Sequence, residues 1–259
     1  MGKRIPRVLS IAGSDSGGGA GIQADLKAFA ACRVHGMTAI TAITAQNTVG
    51  VSAVHPIPPE VIVEQVRQVA DDIGVDAVKI GMLGTVETID AVVEALGQVG
   101  EAPVVLDPVM VAESGAILLD EDARGALSER LLPLTAVATP NLAEAKVLAG
   151  TDGEPDVLAR AIHALGPRAV VVTGGHRDEA TDVFFDGDRL EQLTGERHES
   201  GAAHGSGCTH SSALAAYLAH GDDPLTAARK AKEVAARAVK SGLQDIGRGA
   251  GPVDVFGLA

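Results

Sequence analysis

The sequence predicts an α/β protein, a three-layer α-β-α sandwich with a mainly parallel sheet and helices on both faces, built as one domain over residues 1–259. Three observations carry this. Short runs rich in Val, Ile and Ala, such as Val104-Val105-Leu106 and Ala169-Val170-Val171-Val172, read as strands buried on both faces. Most such runs are followed by apolar residues at helical spacing, and that alternation is the pattern of parallel sheets. No repeat, low-complexity tract or composition shift divides the chain, whose 259 residues suit one domain with an ample core.

The elements follow in order. Arg7 to Ala12 is a first strand, running into Gly13-Ser14-Asp15-Ser16-Gly17-Gly18-Gly19-Ala20-Gly21 and then a helix through Ile22, Leu26, Phe29 and Ala30. Strand, glycine loop and helix place a ligand at the strand's C-terminal edge. A phosphate-binding P-loop would end in Gly-Lys-Ser/Thr, and no Lys follows Gly18 or Gly19; a dinucleotide fingerprint needs a third Gly where Ile22 stands. The loop therefore reads as wrapping a small substrate. Asp25, one turn into the helix, either hydrogen-bonds a ligand hydroxyl or is a favourable charge near a helix start. Met37 to Ile43 is a second strand that ends at Gln46. The Gln46 amide offers a donor and an acceptor side by side, which matches an aminopyrimidine edge, although a polar turn is the commoner use of such a residue.

Pro58 and Pro59 open a helix that stops near Gly74. Val78-Lys79-Ile80-Gly81 is a strand leading to Met82, and Val86 to Leu96 carries a helical apolar face. Val104 to Asp107 ends in a carboxylate before Pro108, either an active-site acid at a strand's C-terminal end or an Asp turn. After the short strand at Ala136–Pro140, Asn141 and Glu144 stand three apart, as a capping pair or as joint holders of a hydrated Mg²⁺. Ala169 to Thr173 leads to the exit Gly174-Gly175-His176, and Thr181 to Leu190 reads as a hairpin with an Asp-Gly turn. A last long helix runs from Pro224 through Val239, and residues 247–252 form a loop.

The stretch His204-Gly205-Ser206-Gly207-Cys208-Thr209 precedes a helix-prone run that Gly221 stops. A glycine turn feeding a helix start presents free N–H groups and the positive end of the dipole, an anion site of the kind that takes phosphate. Cys208 at its mouth is expected to have a lowered thiol pKa.

Composition limits the partners. The chain carries a net charge of −13, unsuited to nucleic acid and repulsive to nucleotides unless amides and a cation help locally. No apolar run approaches the roughly 18 residues of a membrane span, so no membrane is expected. Cys32 and Cys208 read as thiols of a reducing cytoplasm.

Five stretches converge on one sheet edge: the Gly13–Gly21 loop, Gln46, Asp107, the Asn141/Glu144 pair and the Gly205–Cys208 turn. Together with Lys79-Ile80-Gly81-Met82-Leu83, Asp107-Pro108-Val109-Met110, Thr139-Pro140-Asn141-Leu142-Ala143-Glu144, Thr173-Gly174-Gly175-His176 and Gly249-Ala250-Gly251-Pro252, they resemble the ribokinase-like superfamily, and within it the hydroxymethylpyrimidine/phosphomethylpyrimidine kinases of thiamine biosynthesis. The resemblance spans Ile11 to Phe256. It implies ATP-dependent phosphorylation of the pyrimidine's hydroxymethyl group and then of the monophosphate. It implies Gly13, Ala20, Asp25, Gln46, Met82 and Val109 around the pyrimidine, and Asp107, Thr173, Gly174, Gly205, Ser206 and Lys232 around ATP. It further implies Asn141 and Glu144 near Mg²⁺, Cys208 as the general base with Gly205 and Gly207 beside it, and a homodimer. The chain departs from these relatives at Glu113, where many have Lys, at Ala203, where a hydroxyl is usual, and at His210, where an apolar residue is usual.

Rival readings are a pyridoxal or pyridoxine kinase of the same superfamily, a non-catalytic pyrimidine-binding protein, a metal site at His204, Cys208 and His210, and an acyl-transfer enzyme using Cys208. The spacing Cys-x-His lacks the pattern of zinc sites, and a helix-start thiol near His is the only support for acyl transfer.

Overall fold

The computed structural model describes residues 4–174, 180–196, 198 and 202–258. Among these residues nine strands form one sheet: β1 (Arg7–Asp15), β2 (His35–Asn47), β3 (Gly50–Pro56), β4 (Ala77–Ile80), β5 (Val104–Leu106), β6 (Val137–Ala138), β7 (Ala169–Val172), β8 (Asp182–Phe185) and β9 (Leu190–Leu193). Their spatial order is β3-β2-β1-β4-β5-β6-β7-β8-β9. The six strands from β2 to β7 in that order pair in parallel, while β3, β8 and β9 are antiparallel additions at the two ends.

Among the described residues, eight α-helices cover the sheet: α1 (Gly21–Ala31), α2 (Pro59–Asp72), α3 (Val86–Leu96), α4 (Glu121–Ala126), α5 (Leu142–Ala149), α6 (Pro155–His163), α7 (Ser206–Ala219) and α8 (Pro224–Lys240). Alternation along each strand divides the core in two. Leu9, Ile11, Val78 and Ile80 point to one face, against Ile62, Ile89, Leu127, Leu158 and Ile162 of the α2–α6 layer. Val8, Ala77, Val105 and Val171 point to the other, against Phe29, Leu214, Leu225 and Val234 of α1, α7 and α8. With almost no large aromatics, close approach on this second face depends on alanines, notably Ala213, Ala215, Ala216, Ala228 and Ala231, all fully buried.

The expected strands and helices are present, with some additions. The chain forms β3, α4 and α6 where the sequence reading placed no element. A π-helical turn at Leu127–Leu131 and a 3₁₀ turn at Leu132–Leu134 extend α4. The β8–β9 hairpin closes through Asp186 to Arg189, with Gly187 at φ 95° and the Asp186 carboxylate accepting from the Asp188 and Arg189 N–H groups.

The order 2-1-4 places the topological switch between β1 and β4. From β1 the chain steps outward to β2, then returns to the opposite side of β1. Ligand crevices form outside the carboxyl ends of strands at such a point.

Candidate active site

A cavity of about 570 Å³ opens at that switch point, within the size range of small-molecule sites. Its walls come from the C-terminal ends of the parallel strands and the start of α7. Gly13, Ala20, Gln46, Met82 and Val109 line it, as do Asp107, Asn141, Glu144, Thr173, Gly205, Ser206, Gly207, Cys208 and Lys232. Gly13 and Lys232, 219 positions apart in sequence, are thus brought to one space. Glu113 and Ala203, two of the departures noted above, are also on its wall.

Two expected site residues are not. Asp25 is fully buried and does not reach the cavity. It forms an ion pair with Lys79 at 2.9 Å and accepts from Ser10 Oγ at 2.6 Å and Ser212 Oγ at 2.8 Å, so its oxygens are engaged by protein. The reading of Asp25 as a ligand for a substrate hydroxyl is therefore corrected: α1 turns it towards the sheet, where it serves as the counter-ion of Lys79. Gly174 is also absent from the wall. A Cβ there would lie 2.0 Å from the Thr181 carbonyl, so the glycine permits close passage of two chain segments, and its N–H goes to Asp182 at 2.9 Å. Gly175 and His176 lie outside the described residues.

The glycine loop after β1 is organised by a residue the sequence reading passed over. The Asp15 carboxylate accepts from the N–H groups of Gly17, Gly19 and Ala20 at 2.7–3.0 Å, and His204 Nε2 lies 3.4 Å away. Burial pushes the Asp15 carboxyl up, but His204 and the loop N–H groups outweigh it and hold the group below its ordinary value. The loop and the approach to α7 are tied together by this contact.

Helix α7 starts with Gly205 at φ 82°, a left-handed conformation favoured only by glycine, and a Cβ there would meet the Gly19 carbonyl at 1.9 Å. Among the described residues no side chain caps this helix start, which leaves first-turn N–H groups for an anion at the cavity wall. Three rows of α7 each meet a buried carboxylate. Ser211 donates to Asp107 at 3.0 Å, Ser212 to Asp25, and His210 Nε2 stands 3.8 Å from Asp182. Lys79, fully buried in β4, lies between two of these carboxylates, 2.9 Å from Asp25 and 4.0 Å from Asp107. Burial alone would lower the Lys79 ammonium, but Asp25, Cys208 and Asp107 hold it raised and charged.

The Cys208 thiol departs from expectation. It is pushed up to about 12 by burial, with Asp25 and Asp107 adding to the rise and Lys79 and the Gly21 N–H opposing it. The helix start alone would lower it; removal from water and two neighbouring carboxylates outweigh that effect.

Glu144 and Asn141 form a complete capping box at the start of α5: Asn141 Oδ1 accepts from the Glu144 N–H and Glu144 Oε2 from the Asn141 N–H, both at 2.9 Å. Burial and the nearby Asp107 raise the Glu144 carboxyl to about 8. Asp107 is itself raised, by burial first and by Asp25, against the pull of Lys79 and Ser211. Because Glu144 takes up a proton on folding, its contribution is complete below the ordinary carboxylate range and is lost as pH rises through about 8. Glu144→Gln should therefore flatten part of the decline in stability between about pH 5 and pH 8, measured by urea unfolding at several pH values.

The donor set suits Mg²⁺. Two carboxyls, Asp107 and Glu144, sit close in a buried wall where a cation would relieve their repulsion, and both they and Asn141 offer oxygen. Mg²⁺ needs only one or two protein ligands when phosphates and waters supply the rest. Among the described residues no cluster of three His, Cys, Asp or Glu forms a full protein cage.

An open α/β sheet with a switch-point cavity, an uncapped glycine-led helix start and paired buried carboxyls beside it define a small-molecule phosphotransferase of the ribokinase-like class. Residues 15–254 match the family model described as phosphomethylpyrimidine kinase, and the chain belongs to that family. It is 51% identical over 256 residues to the hydroxymethylpyrimidine/phosphomethylpyrimidine kinase of Rhizobium meliloti (strain 1021), covering 96% of each chain. Among solved structures it resembles an ADP complex of Bacillus subtilis pyridoxal kinase, with a TM-score of 0.89, 41% identity and 98% and 99% of the two chains covered. It also resembles phosphomethylpyrimidine kinase from Clostridium difficile 630, with a TM-score of 0.78, 40% identity and 88% and 96% covered.

Proposed function

We propose that this protein phosphorylates 4-amino-5-hydroxymethyl-2-methylpyrimidine, and then the resulting monophosphate, using ATP, in thiamine biosynthesis. The observation that carries the reading is the placement of Gln46 and Met82 on the same cavity wall as Cys208 and the open start of α7. Gln46, held with its Oε1 3.3 Å from Thr44 Oγ1, offers a donor–acceptor edge to an aminopyrimidine. Gly13 and Met82 make a flat apolar surface, since the Met82 sulfur lies 3.1 Å from where a Gly13 Cβ would sit. Ala20 and Val109 close the ring's other sides.

At the far end of the reaction line, the N–H groups of Gly207 and Cys208 at the start of α7 receive the transferring phosphoryl, the Ser206 N–H being taken by the Ala203 carbonyl, and Lys232 and Thr173 stand along the donor's path. Phosphoryl transfer depends on positioning and charge stabilisation more than on covalent chemistry. Asn141 and Glu144, with Asp107, would hold Mg²⁺, which when bound neutralises phosphate charge in a strongly acidic protein. Cys208, in its thiolate form, takes the proton of the attacking hydroxyl and becomes the thiol.

Exposed apolar side chains on the β2–β3 edge, Ile43, Val49 and Val54, support a homodimer through that edge. The two free thiols suit a reducing compartment such as the cytoplasm. Among the described residues no helix is long and apolar enough to cross a membrane.

The likeness to pyridoxal kinase structures favours a second reading, in which a pyridine alcohol is the substrate. ADP release measured with hydroxymethylpyrimidine, its monophosphate and pyridoxal, each with and without Mg²⁺, separates the two. Both pyrimidines should turn over in an Mg²⁺-dependent manner. Pyridoxal used far better than either would transfer the assignment to the second reading, and no turnover with any of the three would remove both.

A further inference from the structure

His210 lines the cavity, yet both of its ring nitrogens are buried and, among the described residues, have no hydrogen-bond partner. The residue is only 5% exposed. Asp182 Oδ2 is 3.8 Å from Nε2, beyond hydrogen-bond range, and Asp182 Oδ1 is taken by Lys232 at 3.0 Å and by the Gly174 N–H at 2.9 Å. A buried polar group left unpaired is costly, and an apolar side chain would fill the same place without that cost. The imidazole thus has no partner among the described residues, and a bound ligand can supply one.

Its surroundings indicate the partner's charge. Ser206 and His210 are four residues apart and share one face of α7, so the ring sits one turn below the uncapped helix start. Lys232 comes in from α8 on the same side, and both residues are on the cavity wall. Helix start, ammonium and an unpaired ring nitrogen form a row of donors, which fits an anion with several oxygens. We propose that His210 is a donor-binding residue, whose ring nitrogen hydrogen-bonds the polyphosphate of the nucleoside triphosphate alongside Lys232.

The proposal rests on the kinase reading and adds one consequence to it. Burial lowers the His210 imidazole, Asp182 of β8 opposes this and Lys232 of α8 adds to it. Glu196 and His198 are the other titratable groups of the adjoining chain on this cavity. The ring is therefore neutral in the free protein near pH 7, and an approaching phosphate favours its protonated form. Nucleotide binding then takes up a proton and tightens as pH falls.

The test uses the full chain, with ADP as the probe. Calorimetric titration is run at pH 6.5 and 8.5 for the wild type, His210→Leu and His210→Asn, with steady-state kinetics on ATP and hydroxymethylpyrimidine in parallel. His210→Leu should weaken ADP binding and raise the KM for ATP about tenfold, the scale of one charge-assisted hydrogen bond. The KM for the pyrimidine should stay unchanged, and His210→Asn, which keeps a donor, should recover part of the loss. Between the two pH values the wild type should lose more affinity than His210→Leu. The imidazole ¹⁵N signals of the wild type, which need no variant to fold, should move on adding ADP. An unchanged ADP affinity and pH slope in His210→Leu, a loss confined to the pyrimidine, or unmoved imidazole signals would each overturn the proposal. A wild type that binds no ADP at all would overturn the kinase reading along with it.

Discussion

Replacing Lys79 with Met is expected to destabilise the fold by about 3–5 kcal/mol, the usual consequence of removing one partner from a buried ion pair. Lys79 and Asp25 are both fully inaccessible, and Lys79 also lies 4.0 Å from Asp107. Methionine fills most of the space, so the loss is electrostatic: two carboxylates remain between β4, α1 and α7 without their cation. Asp107, which burial already raises, loses the one nearby charge that holds it down. Lys79 itself is raised, so its own protonation adds no pH dependence below the ordinary lysine range. The deficit of the variant should instead grow from pH 5 to pH 8, as ionising the stranded carboxylates becomes harder to accommodate. Urea unfolding at both pH values checks this. The double variant Lys79→Met with Asp25→Asn should lose less than the sum of the two single changes, because each removes the other's stranded charge. A single variant within about 1 kcal/mol of wild type, or additivity in the double, would mean that the pair carries no structural weight.

Lys79 also shows what the sequence conceals. Most of the fold could be read directly: β-branched runs marked the parallel strands, and glycines at 74, 150 and 221, all at positive φ, fell where helices end. Strand β3 was missed because its side chains are exposed or half-exposed and show no buried face. Helix α6 was missed although Pro155 opens it and Leu158, Ala159 and Ile162 form a buried stripe; that spacing was present to be found. Lys79 sits inside an otherwise apolar run, whose pattern predicts only a strand. A cation in a strand buried on both faces needs a buried anion, and that signal was available. Which anion was not: Asp25 is 54 residues away. Asp25 shows the same limit from the other side. Its position one turn into α1 places it near the ligand loop in sequence, but only the packing of α1 on the sheet decides whether it faces the cavity or the core.

The Cys208 thiol is a sharper case, because local reasoning had the wrong sign. Its mechanistic consequence is testable. With the thiol pushed up to about 12, roughly one molecule in ten thousand carries the thiolate at pH 8. That scarcity does not exclude a base role. A thiolate of such high basicity is a strong acceptor for an alcohol proton, so rarity and strength offset each other. The signature is then in the pH profile. For hydroxymethylpyrimidine, kcat/KM should climb about tenfold per pH unit from pH 7 to 9 with no plateau, following the thiolate population. For the monophosphate, whose phosphate is already largely deprotonated above a pKa near 6, the profile should be nearly flat. Cys208→Ala should accordingly slow the first phosphorylation by about 10²- to 10⁴-fold and flatten its pH slope, while the second loses far less. The comparison between substrates guards against a trivial explanation, because a small cavity or a shifted α7 start would impair both reactions alike. Cys208→Ser, closer in size and without a usable base, should behave as Cys208→Ala does. Equal losses on the two substrates, or a first phosphorylation as flat with pH as the second, would remove Cys208 from the chemistry and leave the phosphoryl to be handled by the α7 amides alone.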